Sequence, residues 1–368
     1  MADIMQTRRM KHIFPIILAA LLSLTACTRL YQPTGDGTIP DTRTEEATLR
    51  RHVTTLASDI GERNHYQSEA YTRAADYIAA EFEKLGYTVT RQSYTIPQLE
   101  EYKSAAGKTA TNIEARKPGT DSAAPWLVVG AHYDTRVGME KWNVHGPVIE
   151  GKTGTPGAND NASGVAALLS LAARLKDVPL KNGIIFVAYA NEEAPFFQTD
   201  EMGSRVHARA LVKELGSAEK VMGMMSLETL GVYSPRVNKK RRSAVAGSLV
   251  GLHDRCDYVA FMSTNRFMRF HGGRSFSRRC AEMFASVSRF PVRALAFSYL
   301  TRGIAWSDDW SYMKEGIPSF AITDTAYMRC DDYHETSDTP EKLDYREFAE
   351  VVIGVDAMLR KLCNQNTP

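Results

Sequence analysis

No pair of cysteines in this chain has C-x-x-C spacing. The five, Cys27, Cys256, Cys280, Cys330 and Cys363, lie far apart, which argues against a thiolate zinc site. Charge of one sign is lacking too: 45 Lys and Arg stand against 43 Asp and Glu, a formal net charge of +2 over 368 residues. That balance gives no steering toward nucleic acid, and no nucleic-acid partner is expected. Long hydrophobic runs are also missing. The one sustained run, Ile13 to Leu22, is too short to span a bilayer as a mature helix. No internal repeat and no clear linker divides the chain. What remains is ordinary globular material, 43% hydrophobic and 24% charged, read most simply as one catalytic domain with insertions.

Arg8, Arg9, Lys11 and His12 precede the apolar run, the charged and apolar regions of a secretory signal over residues 1–26. The signal ends in Leu24-Thr25-Ala26-Cys27. That tetrad resembles the lipobox of bacterial lipoproteins, which implies lipidation of Cys27, export, and a membrane anchor facing the periplasm or cell exterior. The alternative is a plain secretory signal with an incidental cysteine. With Cys27 lipidated, Cys256, Cys280, Cys330 and Cys363 form an even set that allows three disulfide connectivities. Residues 27–43, rich in Pro, Gly, Thr and Asp, read as a flexible tether.

The catalytic domain is expected over 44–368. Leu49, Val53, Leu56 and Ile60 recur at helical spacing, as do Tyr71, Ala75, Ile78 and Phe82 before Gly86. Strands follow around Tyr87–Thr90, Thr111–Ala115 and Trp126–Ala131. Helices are expected over Ser163–Leu175 and Gly203–Leu215, and strands over Gly183–Ala190 and Val221–Leu227. This alternation predicts an α/β fold with a mixed, mainly parallel central sheet and helices on both faces. Residues 232–293 read as an irregular insertion, with Lys239-Lys240-Arg241-Arg242 as a solvated loop or a partner patch, a strand expected over Asp257–Met262 and a helix carrying Cys280 over Phe276–Val287. A strand at 319–322 and a closing helix over 341–362 complete the chain.

The strand ends carry the chemistry. Gly183 to Ala188 is a continuous apolar run, the pattern of a strand buried on both faces, and Glu192-Glu193 follow it. Two adjacent carboxylates raise one another's pKa and need a cation, a proton or water to relieve them. His132 and Asp134 follow another strand, Glu228 a third and His334 the last, and Asp160 opens a helix. Imidazoles and carboxylates converging on one rim are a ligand set for zinc or a similar divalent cation.

These residues sit in Gly130-Ala131-His132-Tyr133-Asp134-Thr135, in the run 157–164 around Asn159-Asp160-Asn161, in Asn191-Glu192-Glu193, in Ser226-Leu227-Glu228-Thr229, in Ser307-Asp308-Asp309, and in the run 333–339 from Tyr333 to Thr339. In kind and order the motifs resemble the co-catalytic di-zinc metallopeptidases, which include bacterial zinc aminopeptidases, glutamate carboxypeptidase and, more distantly, glutaminyl cyclases. The resemblance implies a three-layer sandwich of the zinc-dependent exopeptidase, phosphorylase/hydrolase-like kind, and two zinc ions per chain. Asp160 would bridge them, with Glu193 and His334 completing one site and His132 and Glu228 the other. Asp134 would fix the His132 tautomer, and Glu192, left without a metal, would be the general base. The activity implied is release of N-terminal residues from peptide substrates.

Two departures stand out. Aminopeptidases of this kind often have Asp where this chain has Glu228, and Ser-Asp-His appears here as Ser307-Asp308-Asp309. Asp308 is left as a pocket residue or a helix N-cap, and Asp338 reads as turn and helix-start chemistry. His145, His207, His253 and His271 match no motif and are expected at the surface or in structural roles. Three other functions remain open: glutaminyl cyclase with one zinc, a carboxypeptidase using Arg302 or Arg329 for the substrate carboxylate, and a non-catalytic receptor-like domain.

Overall fold

In a computed structural model the chain is described over residues 27–35, 41–98, 105–139, 149, 152–233, 257–265, 273–298 and 307–365. The signal segment, Lys239 to Arg242, Cys256, Arg302, His145, His253 and His271 lie outside these residues. Nine strands form one sheet: β1 (Cys27–Tyr31), β2 (Val89–Thr95), β3 (Thr109–Lys117), β4 (Trp126–His132), β5 (Ile184–Tyr189), β6 (Val221–Glu228), β7 (Val259–Asn265), β8 (Val292–Ser298) and β9 (Ser319–Thr323). Their order is β1-β8-β7-β9-β6-β4-β5-β3-β2. The four adjacent strands β5, β4, β6 and β9 run parallel, while β2, β3 and β1 add antiparallel edges. This is the mixed sheet with a parallel centre that the alternation of elements predicts.

The helices are α1 (Arg43–Thr54), α2 (Ser68–Lys84), α3 (Gly164–Leu175), α4 (Gly203–Leu215), α5 (Gly273–Val287), α6 (Asp309–Lys314), α7 (Ala326–Arg329) and α8 (Tyr345–Leu362). Helices α1, α2, α3, α5 and α8 cover one face, and α4 and α6 cover the other. The apolar run of β5 has its cause here. Ile184, Phe186 and Ala188 join the larger core, and Ile185, Val187 and Tyr189 the smaller one. Because successive side chains leave a strand on opposite faces, a strand covered on both sides needs no polar position. Of these, Ile184, Ile185, Phe186 and Val187 each contribute roughly 1.5–3 kcal/mol by burial.

Three expectations need correction. Cys27–Tyr31 is an edge strand, paired with β8 from Cys27 opposite Ala296 to Tyr31 opposite Val292, so a flexible tether does not begin at Cys27. Tyr31 is buried and donates to Glu282 at 3.1 Å, and the Thr34 N–H reaches the Ala285 carbonyl at 2.8 Å. Those contacts, and a sheet edge that would otherwise go unpaired, hold a stretch whose composition reads as linker. The span 232–293 is not wholly an insertion either, because β7 and α5 are integral to the sheet and its cover. Finally, among the described residues Cys280 in α5, Cys330 just after α7 and Cys363 just after α8 are buried free thiols rather than members of a disulfide framework.

His52, on α1, offers a test of the packing. Burial, with the Arg51 charge beside it, lowers its pKa from the ordinary 6.5 to about 4. Above pH 6.5 the ring is neutral in both folded and unfolded chains. Between 6.5 and 4 only the unfolded chain takes up the proton, so stability falls as pH drops through that window, by about 2 kcal/mol at pH 5. His52→Gln is therefore expected to shrink the loss of unfolding free energy between pH 7 and pH 5 by about that amount. Denaturant titration at the two pH values measures it; an unchanged difference would refute the assignment.

Candidate metal centre

The candidate residues gather at the carboxyl ends of the four parallel strands, where open α/β sheets place their sites. His132 is the last residue of β4, Glu228 the last of β6, Glu192 and Glu193 follow β5, and His334 lies beyond β9. Asp160 stands just before α3, in a loop that needs Gly157 at φ +60, where a Cβ would collide with the Asp160 carbonyl.

Two groups of ligand atoms result, His132 with Asp160 and Glu228, and Asp160 with Glu193 and His334; within each group the atoms lie within 4.8 Å of one another. Asp160 divides its oxygens between them. Its Oδ1 is 3.4 Å from His132 Nε2, and its Oδ2 is 3.0 Å from His334 Nε2. Glu228 Oε2 is 3.3 Å from His132 Nε2, and Glu193 Oε1 is 3.4 Å from His334 Nε2. The chemistry of the buried atoms fits a pair of cations. His132 Nε2, Asp160 Oδ2 and Glu193 Oε1 are buried with no hydrogen bond to satisfy them, and such atoms persist only where something else neutralises them. Proton affinities tell the same story. Burial works against a charged His132, yet Glu192, Glu228, Asp134 and Asp160 outweigh it and raise its pKa well above 6.5. His334 is likewise raised to about 9, burial opposing and Glu193 and Asp160 favouring the charge.

Asp134 approaches both the His132 imidazole and the glutamate doublet. Its Oδ1 is 3.4 Å from His132 Nδ1, which leaves Nε2 facing the ligand cluster. Its two oxygens also accept the N–H groups of Glu192 and Glu193, each at 3.0 Å. The bend that brings both glutamates to one cavity lies at Asn191, whose φ is +56. Asn191 Oδ1 accepts from Tyr71 at 2.9 Å and meets His65 Nε2 at 2.7 Å. Glu192 itself belongs to neither ligand group, although its Oε2 is 3.8 Å from His132 Nε2. Burial, with Glu193 and Glu228 nearby and His132 opposing, pushes its carboxyl well above the usual range.

Several contributors have roles that the motifs containing them did not assign. Ser307 donates to Glu228 Oε2 at 2.8 Å. Asn161 holds both sides of Glu228, donating to the Leu227 carbonyl at 2.9 Å and accepting from the Thr229 N–H at 3.0 Å. Arg136, buried, lies 3.5 Å from Glu193 Oε2. Asp308 precedes α6 but makes no side-chain cap, so the N-cap alternative falls; burial raises it to about 7, with Glu228 and Asp134 adding to the rise and His132 opposing. Asp338 is no helix start either, since its oxygens accept the N–H groups of Asn159 at 2.9 Å and Asp160 at 3.1 Å. His207 is structural and buried, between Tyr312 at 2.6 Å and Glu114 at 2.7 Å. Left-handed backbone clusters here too: of the five described non-glycine residues with positive φ, Asn191, Thr229 and His334 adjoin or supply the ligands, as strained residues at functional sites do.

The family model of peptidase family M28 matches residues 112–357, a span that contains every ligand named above. The chain belongs to peptidase family M28. As a member it is a zinc-dependent peptide hydrolase. The uncharacterized protein YfbL of Escherichia coli (strain K12) is 33% identical over 311 residues, covering 84% of this chain and 86% of its own. Among solved structures, the zinc aminopeptidase BSAP of Bacillus subtilis aligns with a TM-score of 0.60 at 16% identity, over 88% of this chain and 96% of its own. A glutaminyl cyclase of Fimbriiglobus ruber aligns with a TM-score of 0.57 at 20% identity, over 88% and 98%. At these identities the likeness is one of fold.

Proposed function

We propose that this M28 peptidase is an aminopeptidase that holds two zinc ions and removes residues from the free N-termini of peptides, with Glu192 as general base. The carrying observation is one shared carboxylate between two complete ligand groups, with a neighbouring buried glutamate in neither. His132 and Glu228 would hold one ion, Glu193 and His334 the other, and Asp160 both. When bound, zinc supplies Lewis acidity toward a carbonyl oxygen and makes a water more nucleophilic at neutral pH. Glu192 takes the proton from the attacking water, holds it in a site where burial favours the neutral carboxyl, and passes it to the leaving amine. Asp134 keeps Glu192 in place through its backbone N–H. The lipobox-like tetrad supports export with a lipid on Cys27, which would place this chemistry at a bacterial membrane surface.

A panel of free and N-blocked aminoacyl substrates, run with and without a chelator, tests the reading. Free but not blocked N-termini are expected to be cleaved, with activity lost on chelation and restored by zinc. Cleavage of blocked substrates from the carboxyl end, or cyclisation of peptides beginning with Gln at one zinc per chain, would replace it with the carboxypeptidase or cyclase reading.

A further inference from the structure

Arg63 stands outside every ligand motif and is fully buried. Its side chain donates to five backbone carbonyls: Nε to Tyr133 at 2.9 Å, Nη1 to Leu56 at 2.9 Å, Gly61 at 2.9 Å and Pro156 at 2.7 Å, and Nη2 to Gly157 at 3.0 Å. Its own backbone is paired with Thr135, the N–H donating to Thr135 Oγ1 at 2.8 Å and the carbonyl accepting from Thr135 N at 2.9 Å. A buried guanidinium is expensive to desolvate, and none of the five acceptors is a carboxylate that would compensate its charge directly. What it does compensate is local: the charges of Asp338, Asp134 and Asp160 all support its protonated state against burial, which lowers its pKa to about 10.

Asp338 holds the same loop by its opposite polarity. Arg63 takes the carbonyls of Pro156 and Gly157, whereas Asp338 takes the N–H groups of Asn159 and Asp160 with its carboxylate and that of Ala158 with its backbone carbonyl, at 3.2 Å. Arg63 thereby ties the loop to the segment Tyr133–Thr135, beside His132 and Asp134. Asp338, four residues after His334, ties it to the segment that supplies that ligand.

We propose that Arg63 and Asp338 are a pair of positioning residues that set the spacing between His132, Asp160 and His334, and so the zinc affinity of both ligand groups. The inference rests on the zinc reading of those groups. Neither residue touches the reacting atoms. Arg63 acts through carbonyls and Asp338 through amides, on the one loop whose carboxylate belongs to both sites.

The test uses the full mature chain with zinc. Arg63→Lys keeps the charge but not the planar fork, because a single ammonium with three donors cannot serve five carbonyls. Asp338→Asn keeps the shape but turns an N–H donor toward a backbone N–H, and it stands alone should the lysine variant fail to fold. Leu362→Ala, in the buried core of α8, supplies a destabilised control. Zinc affinity is read by competition with a chelator of known strength, and stability by thermal melting of the zinc-free protein. Arg63→Lys and Asp338→Asn are expected to bind zinc about 10- to 100-fold more weakly, the range for residues that orient ligands, while Leu362→Ala melts lower with wild-type affinity. Variants that melt lower yet hold zinc like wild type would overturn the pair as positioning residues. Wild-type protein that binds no zinc would overturn the zinc reading itself, an outcome visible before any variant is compared.

Discussion

Glu192→Gln is expected to retain its zinc and to lose about 10²- to 10⁴-fold in kcat, the contribution of a positioned general base. The substitution is nearly isosteric, and Glu192 belongs to neither ligand group, so the cations have no reason to leave. Its backbone N–H keeps its partner in Asp134, so the bend at Asn191 and the neighbouring Glu193 stay where they are. What the amide lacks is a site for the proton. Glu192 suits that task because burial and the charges of Glu193 and Glu228 raise its proton affinity, which helps it keep the proton between attack and departure of the amine. KM is expected to change little, since the group acts on the water rather than on the bound peptide. Steady-state kinetics with zinc counted by mass spectrometry of the metal on the same preparation decides the matter. Retained turnover would assign the base elsewhere, and lost zinc would make Glu192 a ligand.

Asp160→Ala should be as damaging by another route. Because Asp160 turns one oxygen toward His132 and the other toward His334, its removal takes a ligand from both groups and leaves their remaining charges without the carboxylate between them. Glu228→Ala takes a ligand from one group only. The expected zinc content is therefore about two per chain for the wild type, about one for Glu228→Ala and near none for Asp160→Ala, with activity of the last below detection. Equal zinc loss in both variants would contradict the division of the site, and full occupancy in Asp160→Ala would contradict the bridge.

The candidate ligands could be read from the chain because most of them stand at or next to the end of an element whose pattern is local, His132 and Glu228 closing strands, Glu193 just after one and Asp160 just before a helix. The β5 run is apolar throughout since both faces are covered, and the acidic doublet sits where that pattern stops. The supports of the site could not be read this way. Arg63 meets Gly157 across 94 residues, Asp338 meets Asn159 across 179, and His65 meets Asn191 across 126. A hydrogen bond of that range leaves no periodicity in sequence, so Arg63 looks like any charged residue between two helices and Asp338 like any turn residue before a proline. The edge strand β1 was hidden for a related reason. Its five residues pair through backbone groups, and composition, the only signal in a segment so short, favoured a linker.

If Cys27 carries the proposed lipid, that edge strand also sets the reach of the enzyme. Among the described residues Cys27 is itself paired, opposite Ala296, so a lipid on this residue would leave no slack between bilayer and folded body. An enzyme on a long leash sweeps a volume around its anchor, whereas one whose sheet starts at the anchor keeps a fixed height and a fixed facing. It would then work as a trimming station at the membrane, taking peptides as they arrive at the surface rather than searching the space beyond it.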